Sequence, residues 1–427
     1  MLASTSLLRH RDFRLLWAGD TVSVLGIQMI GIAIPIIAIN DLGASTFQMG
    51  VLNATETIGF LLFSLLAGAW IDRWIKRPVI VLGDLIRSVL LLGVPLLWWL
   101  DMLAMWHIYV ISLAVGIVTV FFEVANQSFL PFVVDGNKIS DANGKFSATN
   151  QVARVAGPAA GGALVGVIGG PLTLIVTAIC MAASSLFVSQ MKTVELKQEA
   201  KPGRSLKREI GEGLQFVFKH PLLVRITTCT GISNFANGFW DAAFAIFILR
   251  TLGLSPSTFG LILAVGAVGG LFGAVSAAPL SKWIGEGRSI PLTALAVGFA
   301  AAATPLASLG LTPAVATLMV GSVLFAWAVV VYNVVQVSFR QRLCPPRLLG
   351  RMNASIRFLV WGPIPIGALA GGAFGTIFGV VPTLWVGVVL FAAASAPVFF
   401  SPLRWMRDLP RELDALADGD EPSASAT

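Results

Sequence analysis

The chain has 427 residues, of which 56% are hydrophobic and only 12% are charged, and its formal net charge is +7. Soluble domains carry about 25% charged residues, so this composition excludes a soluble globular protein and indicates a membrane protein. The three cysteines lie far apart, which excludes a disulfide framework and a zinc site. The positive charge lies mostly in loops between apolar segments, so it does not indicate binding of nucleic acid.

Twelve apolar segments are long enough to cross a bilayer as α-helices, which requires about 20 residues each. The sequence therefore predicts an all-α membrane protein with twelve transmembrane helices. In chain order the predicted spans are 15–39, 47–71, 78–100, 105–130, 148–169, 171–190, 222–249, 257–283, 289–309, 313–338, 355–378 and 380–401.

The lysine and arginine residues of the loops fall almost entirely on one side of these spans. If both termini lie on that side, the loops on the opposite side contain a single basic residue, Arg250. Cytoplasmic loops are enriched in lysine and arginine, so both termini are predicted to be cytoplasmic. We expect a multi-pass protein of the inner (plasma) membrane that is self-sufficient as a monomer.

The sequence contains an internal repeat, since three pairs of segments match at nearly one shift. Two pairs match at a shift of 210 residues, namely LGASTFQMGVL (42–52) with LGLSPSTFGLIL (252–263) and EVANQSF (123–129) with NVVQVSF (333–339), and GPAAGG (157–162) matches GPIPIG (362–367) at 205. Parallel repeats of six helices are a transporter architecture. The sequence therefore predicts two six-helix pseudo-repeats.

Four regions follow from this repeat. They are an N-terminal six-helix bundle at 1–190, a cytoplasmic linker at 191–221, a C-terminal six-helix bundle at 222–403 and a cytoplasmic tail at 404–427 that is expected to be disordered. Within the linker, apolar residues recur at helical spacing over 205–218, which predicts a helix that lies on the membrane surface.

A cluster of charge interrupts the apolar sequence between the second and third predicted spans. It is the segment GAWIDRWIKRP at 68–78. Gly68, Asp72, Arg73 and the basic pair Lys76–Arg77 resemble the signature of the loop between helices 2 and 3 in the major facilitator superfamily.

A second motif lies in the fifth predicted span. It is RVAGPAAGG, with Arg154, Gly157, Pro158, Gly161 and Gly162. This motif resembles the Gly-Pro motif of helix 5 in antiporters of that superfamily, and the resemblance implies export. Residues 130–158 and 339–372 further resemble the drug–proton antiporter branch that includes macrolide-efflux and enterobactin-exporter-like proteins.

The resemblance implies the major facilitator fold, whose two halves alternate between inward-open and outward-open states. It also implies that the charges of the loop hold the cytoplasmic ends of the halves together in one state. Asp72 is then expected to face a helix N-terminus of the other half, and Arg73 and Arg77 to pair with acidic groups. Asp84 and Arg87, three residues apart, are expected to form an internal pair that holds this gate. The alternative is that the loop charges only set the topology.

Besides Asp84, four carboxylates lie inside the predicted spans, where a charge costs roughly 2.5–3.5 kcal/mol. In the order of their expected importance they are Glu56, Asp241, Asp20 and Glu123. A carboxylate that can bind and release a proton from either side is what coupling to a proton gradient requires. For each of the four, a structural ion pair or a hydrogen bond between helices is the alternative.

Basic, amide and aromatic side chains complete the candidate site. Arg154 and Arg357 are expected partners of Glu123 and Asp20. Candidate cavity residues with amide side chains are Asn53, Asn237, Asn333 and Gln336, and the aromatic candidates are Phe60, Phe239, Trp240, Phe244, Trp327 and Tyr332. An apolar cavity with aromatic walls suits amphipathic organic molecules, although packing or lipid contact also accounts for any single aromatic residue.

These observations predict a secondary active transporter that exports amphipathic small molecules, such as drugs or siderophore-like compounds, in exchange for protons. Its expected partners are the substrate, protons and the lipid bilayer. No cofactor, metal or enzymatic activity is expected, because the sequence contains neither a Walker loop nor metal-ligand spacing. The alternatives are an importer or flippase of an amphipathic lipid, and a channel or a transporter-shaped sensor.

We expect Asp72→Asn to preserve expression and to impair transport severalfold, because an amide loses the attraction of a carboxylate to a helix N-terminus, worth about 0.3–1 kcal/mol at exposed sites. Transport of a fluorescent substrate into inverted membrane vesicles, normalised to the amount of protein, measures this. Normal transport by a well-expressed mutant would show that Asp72 has no role in gating.

Overall fold

The computed structural model describes residues 7–71, 73–193, 195, 206–310, 312–344 and 349–407. The described residues form helices and no strands, as the sequence predicts. In chain order the α-helices are α1 (Arg11–Ile36), α2 (Thr46–Ile71), α3 (Lys76–Trp99), α4 (Met105–Val133), α5 (Ile139–Ile168), α6 (Gly170–Ser189), α7 (Leu206–Lys219), α8 (Pro221–Ile246), α9 (Pro256–Ile284), α10 (Glu286–Ala301), α11 (Ala303–Leu306), α12 (Ala314–Leu343), α13 (Leu349–Trp361), α14 (Pro363–Phe378), α15 (Val380–Ala394) and α16 (Ala396–Phe399).

Eleven stretches of helix among the described residues are long and apolar enough to cross a membrane. The chain is therefore a multi-pass helical membrane protein. The second predicted span, 47–71, coincides with helix α2, which is not among those eleven. The eleventh predicted span contains a break between α13 and α14, immediately before Pro363. Proline cannot donate a backbone hydrogen bond, and this favours such a break.

Packing divides the chain into two compact units. Unit 1 contains Met1–Pro202, Gly238–Ala267 and Pro365–Leu384, and unit 2 contains Gly203–Asn237, Val268–Ile364 and Trp385–Thr427. Helices α1–α6 therefore lie wholly in unit 1, together with parts of α8, α9, α14 and α15. These units follow the packing of the helices and not the order of the chain, so the predicted division into two sequential halves stays a prediction.

The internal repeat is also present in the backbone conformation, as two π-helical turns at equivalent positions. They are Ile37–Asp41, after α1, and Phe247–Thr251, after α8, and they lie 210 residues apart. Each turn is followed by a glycine in the left-handed region, Gly43 with φ of 66° and Gly253 with φ of 63°, where a residue with a Cβ is strained. The segments that match in sequence thus fold in the same way.

The basic pair of the charged loop is bound by an acidic residue that lies 119 positions further along the chain. The Glu195 carboxylate lies 3.1 Å from Lys76 Nζ, and the two side chains are only 2% and 3% exposed. Its other oxygen accepts the backbone N–H groups of Lys76 (2.7 Å) and Arg77 (3.3 Å) at the start of α3. Glu195 therefore neutralises a buried ammonium and caps a helix N-terminus at once.

The chain just after α6 is held at two further points. Arg77 donates from Nε to the Val188 carbonyl (3.3 Å) and from Nη2 to the Ser189 carbonyl (2.5 Å), at the C-terminus of α6. The Asp12 carboxylate accepts the N–H groups of Lys192 (2.9 Å) and Thr193 (2.7 Å). We call residues 190–193 and 195 the return segment, because they fold back onto the first turns of α1 and α3.

Unit 2 contains a similar contact, in which the chain after α16 packs against the start of α10. A Cβ added at Gly285 would lie 2.6 Å from the Arg407 carbonyl, and one at Gly287 would lie 2.7 Å from the Met406 carbonyl. The predicted linker helix is also in unit 2, as α7, and it packs against α13 with Val217 fully buried. Its position on the membrane surface stays a prediction.

We expect Glu195→Ala to lower the melting temperature of the purified protein by several degrees. The substitution leaves the buried Lys76 ammonium without a counter-ion, and breaking a buried ion pair costs about 3–5 kcal/mol. Unfolding followed by thiol-reactive fluorescence in detergent measures the change. Asp141→Ala is the matched control, because Asp141 pairs with Lys145 at 2.5 Å but is 59% exposed, and exposed pairs contribute about 0–1 kcal/mol. Equal shifts for the two variants would contradict the structural role of Glu195.

Candidate functional site

A buried ion pair joins α1, α3 and α4 inside unit 1. Asp84 and Arg87 form it, and both side chains are fully buried. The Ser23 hydroxyl donates to Asp84 Oδ1 at 3.0 Å, and Arg87 Nη1 donates to Thr119 Oγ1 at 3.3 Å. The Arg87 guanidinium also lies 4.1 Å from the centre of the Phe122 ring. The expected Asp84–Arg87 pair is thus present, and it is bound to the neighbouring helices on two sides.

Two of the four candidate carboxylates lie beside this pair. Asp20 is 6% exposed, and its Oδ1 accepts a hydrogen bond of 2.6 Å from Asn126 Nδ2. Asp20 interacts electrostatically with Asp84, Arg87 and Glu123. We call Asp20, Asp84, Arg87, Glu123 and Asn126 the Arg87 cluster.

Arg87 is a cation of the Arg87 cluster that the sequence did not suggest as a partner of Asp20, and the predicted pairing of Arg357 with a carboxylate stays a prediction. Arg154 is exposed and forms no ion pair among the residues that the structure describes, so its predicted pairing with a carboxylate is not formed. Arg357 lies in unit 2, where its guanidinium is 5.5 Å from the centre of the Trp361 ring. Arg87, which the sequence assigned to the gate, is the cation that interacts with Asp20.

The other two candidate carboxylates form a separate pair in unit 1. Glu56 is exposed although it lies in the apolar helix α2, and its carboxylate interacts electrostatically with Asp241 of α8. Asn53, one turn before Glu56, is partly exposed. Two like charges near each other favour the binding of a cation or a proton.

The amide candidates of α12 lie in unit 2. Gln336 is 2% exposed, and its Nε2 donates to Asn333 Oδ1 at 3.3 Å. Tyr332 forms a hydrogen bond of 2.8 Å with Thr230, and Trp327 Nε1 donates to Ser276 at 2.9 Å. These side chains are fixed by partners in their own unit.

The gating residues are only partly described. Asp72, the surroundings of Gly68 and the side chain of Phe60 lie outside the described residues. Arg73 is exposed. The Arg77 guanidinium binds the carbonyls at the end of α6, and its backbone N–H binds the Glu195 carboxylate. The pairing of the Arg77 side chain with an acidic group and the role of Asp72 stay predictions.

The glycines of the α5 motif face two different helices. A Cβ added at Gly157 would lie 2.3 Å from Gln28 Cβ of α1, and one at Gly161 would lie 3.2 Å from Met29 Cα. A Cβ at Gly162 would lie 2.8 Å from Gly260 Cα of α9. Since real Cβ atoms do not approach so closely, Gly157 and Gly162 are required for these contacts.

Under the internal repeat, the contact of α5 with α9 corresponds to a contact of α2 with α14, which the sequence did not predict. A Cβ at Gly50 of α2 would lie 3.0 Å from Gly372 Cα of α14. Gly50 and Gly260 are 210 residues apart, and so are Gly162 and Gly372. The repeat shift of 210 therefore also applies to the fifth helix of each half, where the sequence suggested 205. A search for glycines at a constant shift of 210 would have found this pair.

Arg250, the single basic residue of the predicted outer loops, also binds across unit 1. Its Nη1 donates to the Ala44 carbonyl at 2.7 Å and its Nη2 to the Ile39 carbonyl at 2.5 Å. The second π-helical turn is thereby attached to the first. This contact and the two glycine contacts lie in the parts of the spans that the predicted topology places toward the outside.

We expect Gly162→Leu to abolish or strongly reduce function while preserving the fold of each helix, because a leucine side chain cannot fit between α5 and α9. Gly144→Leu, on the same helix, is the matched control, since a Cβ added there meets nothing within 4 Å. Disulfide cross-linking between cysteines introduced at Gly166 and Ser257 measures the approach of α5 to α9, because a Cβ added at Gly166 would lie 3.7 Å from Ser257 Cβ. Cross-linking that is as efficient in Gly162→Leu as in the control would contradict the close contact.

Comparison with known proteins places the chain in one family. A sequence model described as Major Facilitator Superfamily matches residues 16–364. The multidrug efflux pump Tap of Mycolicibacterium fortuitum is 26% identical over 368 residues, which cover 81% of this chain and 87% of the pump. The enterobactin exporter EntS of Escherichia coli is 24% identical over 357 residues, which cover 82% of each chain.

Solved transporter structures have the same fold. A bacterial homologue of the human lysosomal transporter Spinster, in an inward-facing and unoccupied conformation, has a TM-score of 0.70 and 16% identity over 93% of this chain and 97% of its own. The nucleoside transporter NupG has a TM-score of 0.74 and 11% identity over 91% of this chain and 99% of its own. Because the family match covers most of the chain and the helical fold agrees with it, this protein belongs to the major facilitator superfamily.

Proposed function

We propose that this protein is a secondary active transporter that exports amphipathic small molecules, drugs or siderophore-like compounds, from the cytoplasm in exchange for protons. The observation that carries the proposal is the pair Glu56–Asp241. An exposed carboxylate in an apolar helix is costly in a membrane, and its interaction with a second carboxylate makes it more so. A positively charged group or a proton between them removes this cost. Relatives named as a multidrug efflux pump and an enterobactin exporter support export.

Aromatic side chains beside Asp241 suit the apolar body of such a substrate. Phe239 and Trp240 precede Asp241 on α8, and the Trp240 ring lies 6.2 Å from the Phe244 ring. The Phe239 ring lies 5.7 Å from Phe374 of α14. Aromatic surface next to a carboxylate pair binds amphipathic cations through both burial and charge.

Alternating access provides a role for the glycine contacts and for Arg250. If the predicted topology holds, opening the transporter to the outside separates Gly162 from Gly260 and Gly50 from Gly372. The hydrogen bonds of Arg250 to the turn after α1 must then break as well. We propose that the protein works as a monomer in the inner membrane with both termini in the cytoplasm, and that the proton gradient drives it without a cofactor.

We expect inverted membrane vesicles that contain the wild-type protein to accumulate ethidium or Hoechst dye when a proton gradient is imposed. Glu56→Gln should reduce the rate about tenfold or more, the factor that corresponds to 1.4 kcal/mol of lost interaction. Dye fluorescence with and without the gradient measures the rate. Asp101→Asn is the matched control, because Asp101 is exposed in the turn after α3 with φ of 54°, which asparagine tolerates.

Three outcomes separate the possible functions. Gradient-driven accumulation that is lost in Glu56→Gln alone supports proton-coupled export. Accumulation that survives in Glu56→Gln would remove Glu56 from the transport path. Movement of labelled lipid or dye in the opposite direction would overturn export in favour of an importer or a flippase.

A further inference from the structure

Unit 2 contains a buried cation, Arg340, in the last turn of α12. Arg340 is 9% exposed, and its Nε has no hydrogen-bond partner. Among the residues that the structure describes, Arg340 forms no ion pair with an acidic side chain. Arg342, two residues later, is 54% exposed and pairs with Glu286 at 2.7 Å. Buried charge without a counter-ion is strongly unfavourable, so the burial of Arg340 requires an explanation.

The described groups next to Arg340 do not supply a negative charge. Tyr332 interacts with it electrostatically, but a phenol is uncharged near neutral pH. The Tyr332 hydroxyl is already bound to Thr230 at 2.8 Å. The carbonyls at the C-terminus of α12 attract a cation, but this attraction is weaker than the cost of burying one. The counter-ion of Arg340 therefore has to come from outside the described part of unit 2.

A second unpaired polar group lies one turn before Arg340. Gln336 is 2% exposed, and its Oε1 has no hydrogen-bond donor. Its Nε2 donates to Asn333 Oδ1 at 3.3 Å, and Asn333 is exposed. Residues four apart lie on the same face of a helix, with Cβ atoms about 5–6 Å from each other. One face of α12 thus carries an unpaired cation and an unpaired acceptor beside an exposed amide.

The internal repeat shows which group this face lacks. At the shift of 210 residues, Gln336 corresponds to Asn126 and Thr230 corresponds to Asp20. Helices α1 and α8, which contain Asp20 and Thr230, begin and end at equivalent positions. In the first half, Asn126 Nδ2 donates to the Asp20 carboxylate at 2.6 Å. In the second half a threonine replaces that carboxylate, and Arg340 replaces a leucine. The second half therefore has an amide and a cation but lacks the carboxylate.

We infer that Arg340 and Gln336 bind an organic anion that carries a hydroxyl group beside its carboxylate, and that this anion is part of the transported molecule. The carboxylate of the ligand supplies the counter-ion of the guanidinium, whose planar fork matches carboxylate geometry. The hydroxyl group of the ligand donates to Gln336 Oε1. The assignment of the anion to the transported molecule rests on the proposed function and narrows its substrate class to hydroxycarboxylates and similar acids.

The surroundings favour an organic anion over a small inorganic one. Chloride could neutralise Arg340, but it has no hydrogen to donate to Gln336 Oε1. Two further residues of α12, Val335 and Phe339, are 5% and 1% exposed and belong to the hydrophobic core of unit 2. The apolar body of an organic acid gains free energy when it leaves water for such surroundings.

Thermal unfolding of the purified full-length protein in detergent tests the site. The probes are meta-hydroxybenzoate, benzoate and chloride, each added as the sodium salt at the same ionic strength. A ligand that binds only the folded protein raises its melting temperature. We expect the largest rise with meta-hydroxybenzoate, a smaller rise with benzoate and almost none with chloride. No rise with meta-hydroxybenzoate, or equal rises with all three salts, would overturn the inference.

Three variants assign the binding to its residues. Arg340→Gln should weaken the apparent affinity for meta-hydroxybenzoate at least about tenfold, because a charge-assisted hydrogen bond is lost. Gln336→Met should remove the preference for meta-hydroxybenzoate over benzoate, because a thioether is only a weak acceptor. Arg342→Gln is the matched control, since Arg342 lies in the same turn but is exposed. Equal weakening by Arg340→Gln and Arg342→Gln would overturn the inference, and an unchanged preference in Gln336→Met would remove Gln336 from the site.

The stability of Arg340→Gln without any added anion is a measurement that does not depend on the probe. Removing a buried cation that has no counter-ion should leave the melting temperature at or above that of the wild type, whereas breaking a buried ion pair is strongly destabilising. A melting temperature well below that of the wild type would show that Arg340 already has a counter-ion within the protein, and this would overturn the inference.

The test separates this inference from the proposed function. If wild-type vesicles export dye but meta-hydroxybenzoate does not stabilise the protein, the anion site is wrong and export stands. If meta-hydroxybenzoate binds through Arg340 but wild-type vesicles show no gradient-driven transport of dye or siderophore, the anion site stands and the proposed function fails. If it binds through Arg340 but does not inhibit dye export by the wild type, its assignment to the transported molecule is overturned.

Discussion

Charge inside a bundle of apolar helices has to be matched locally, and this requirement explains the arrangement of the ionisable residues in unit 1. Asp84 and Arg87 meet it by pairing, with Ser23 and Thr119 as further hydrogen-bond partners. Near the helix ends, charged side chains bind backbone N–H and carbonyl groups. Glu195 binds N–H groups at the start of α3, and Arg77 binds carbonyls at the end of α6.

The internal repeat also places the glycines at which the backbones of two helices approach each other closely. Each half of the sequence supplies one glycine to a contact with the other, Gly50 to Gly372 and Gly260 to Gly162. The π-helical turns that precede α2 and α9 repeat with the same shift. Arg250 breaks this symmetry, because its counterpart in the first turn is Asn40, and only the arginine reaches across to bind the opposite turn.

Hydropathy and loop charge predict the features that depend on local sequence. The spans, the helix in the linker and the pair of Asp84 with Arg87 follow from spacing alone. The partnership of Lys76 with Glu195 does not, because the two residues are 119 positions apart. The interaction of Arg87 with Asp20 likewise depends on how α1, α3 and α4 pack. Sequence periodicity shows which face of a helix is polar, but it does not show which other helix packs against that face.

The glycine contacts have a consequence for the ease with which they form and separate. Contacts between long side chains freeze rotamers when they form, at up to about 2 kcal/mol of conformational entropy for each side chain. Gly162 and Gly260 meet through their backbones, so no rotamers are frozen on contact and none are released on separation. The attraction between them is dispersion, which fades within a small displacement. Such a contact can form and separate without a large entropic barrier, which suits the alternation between states that we propose.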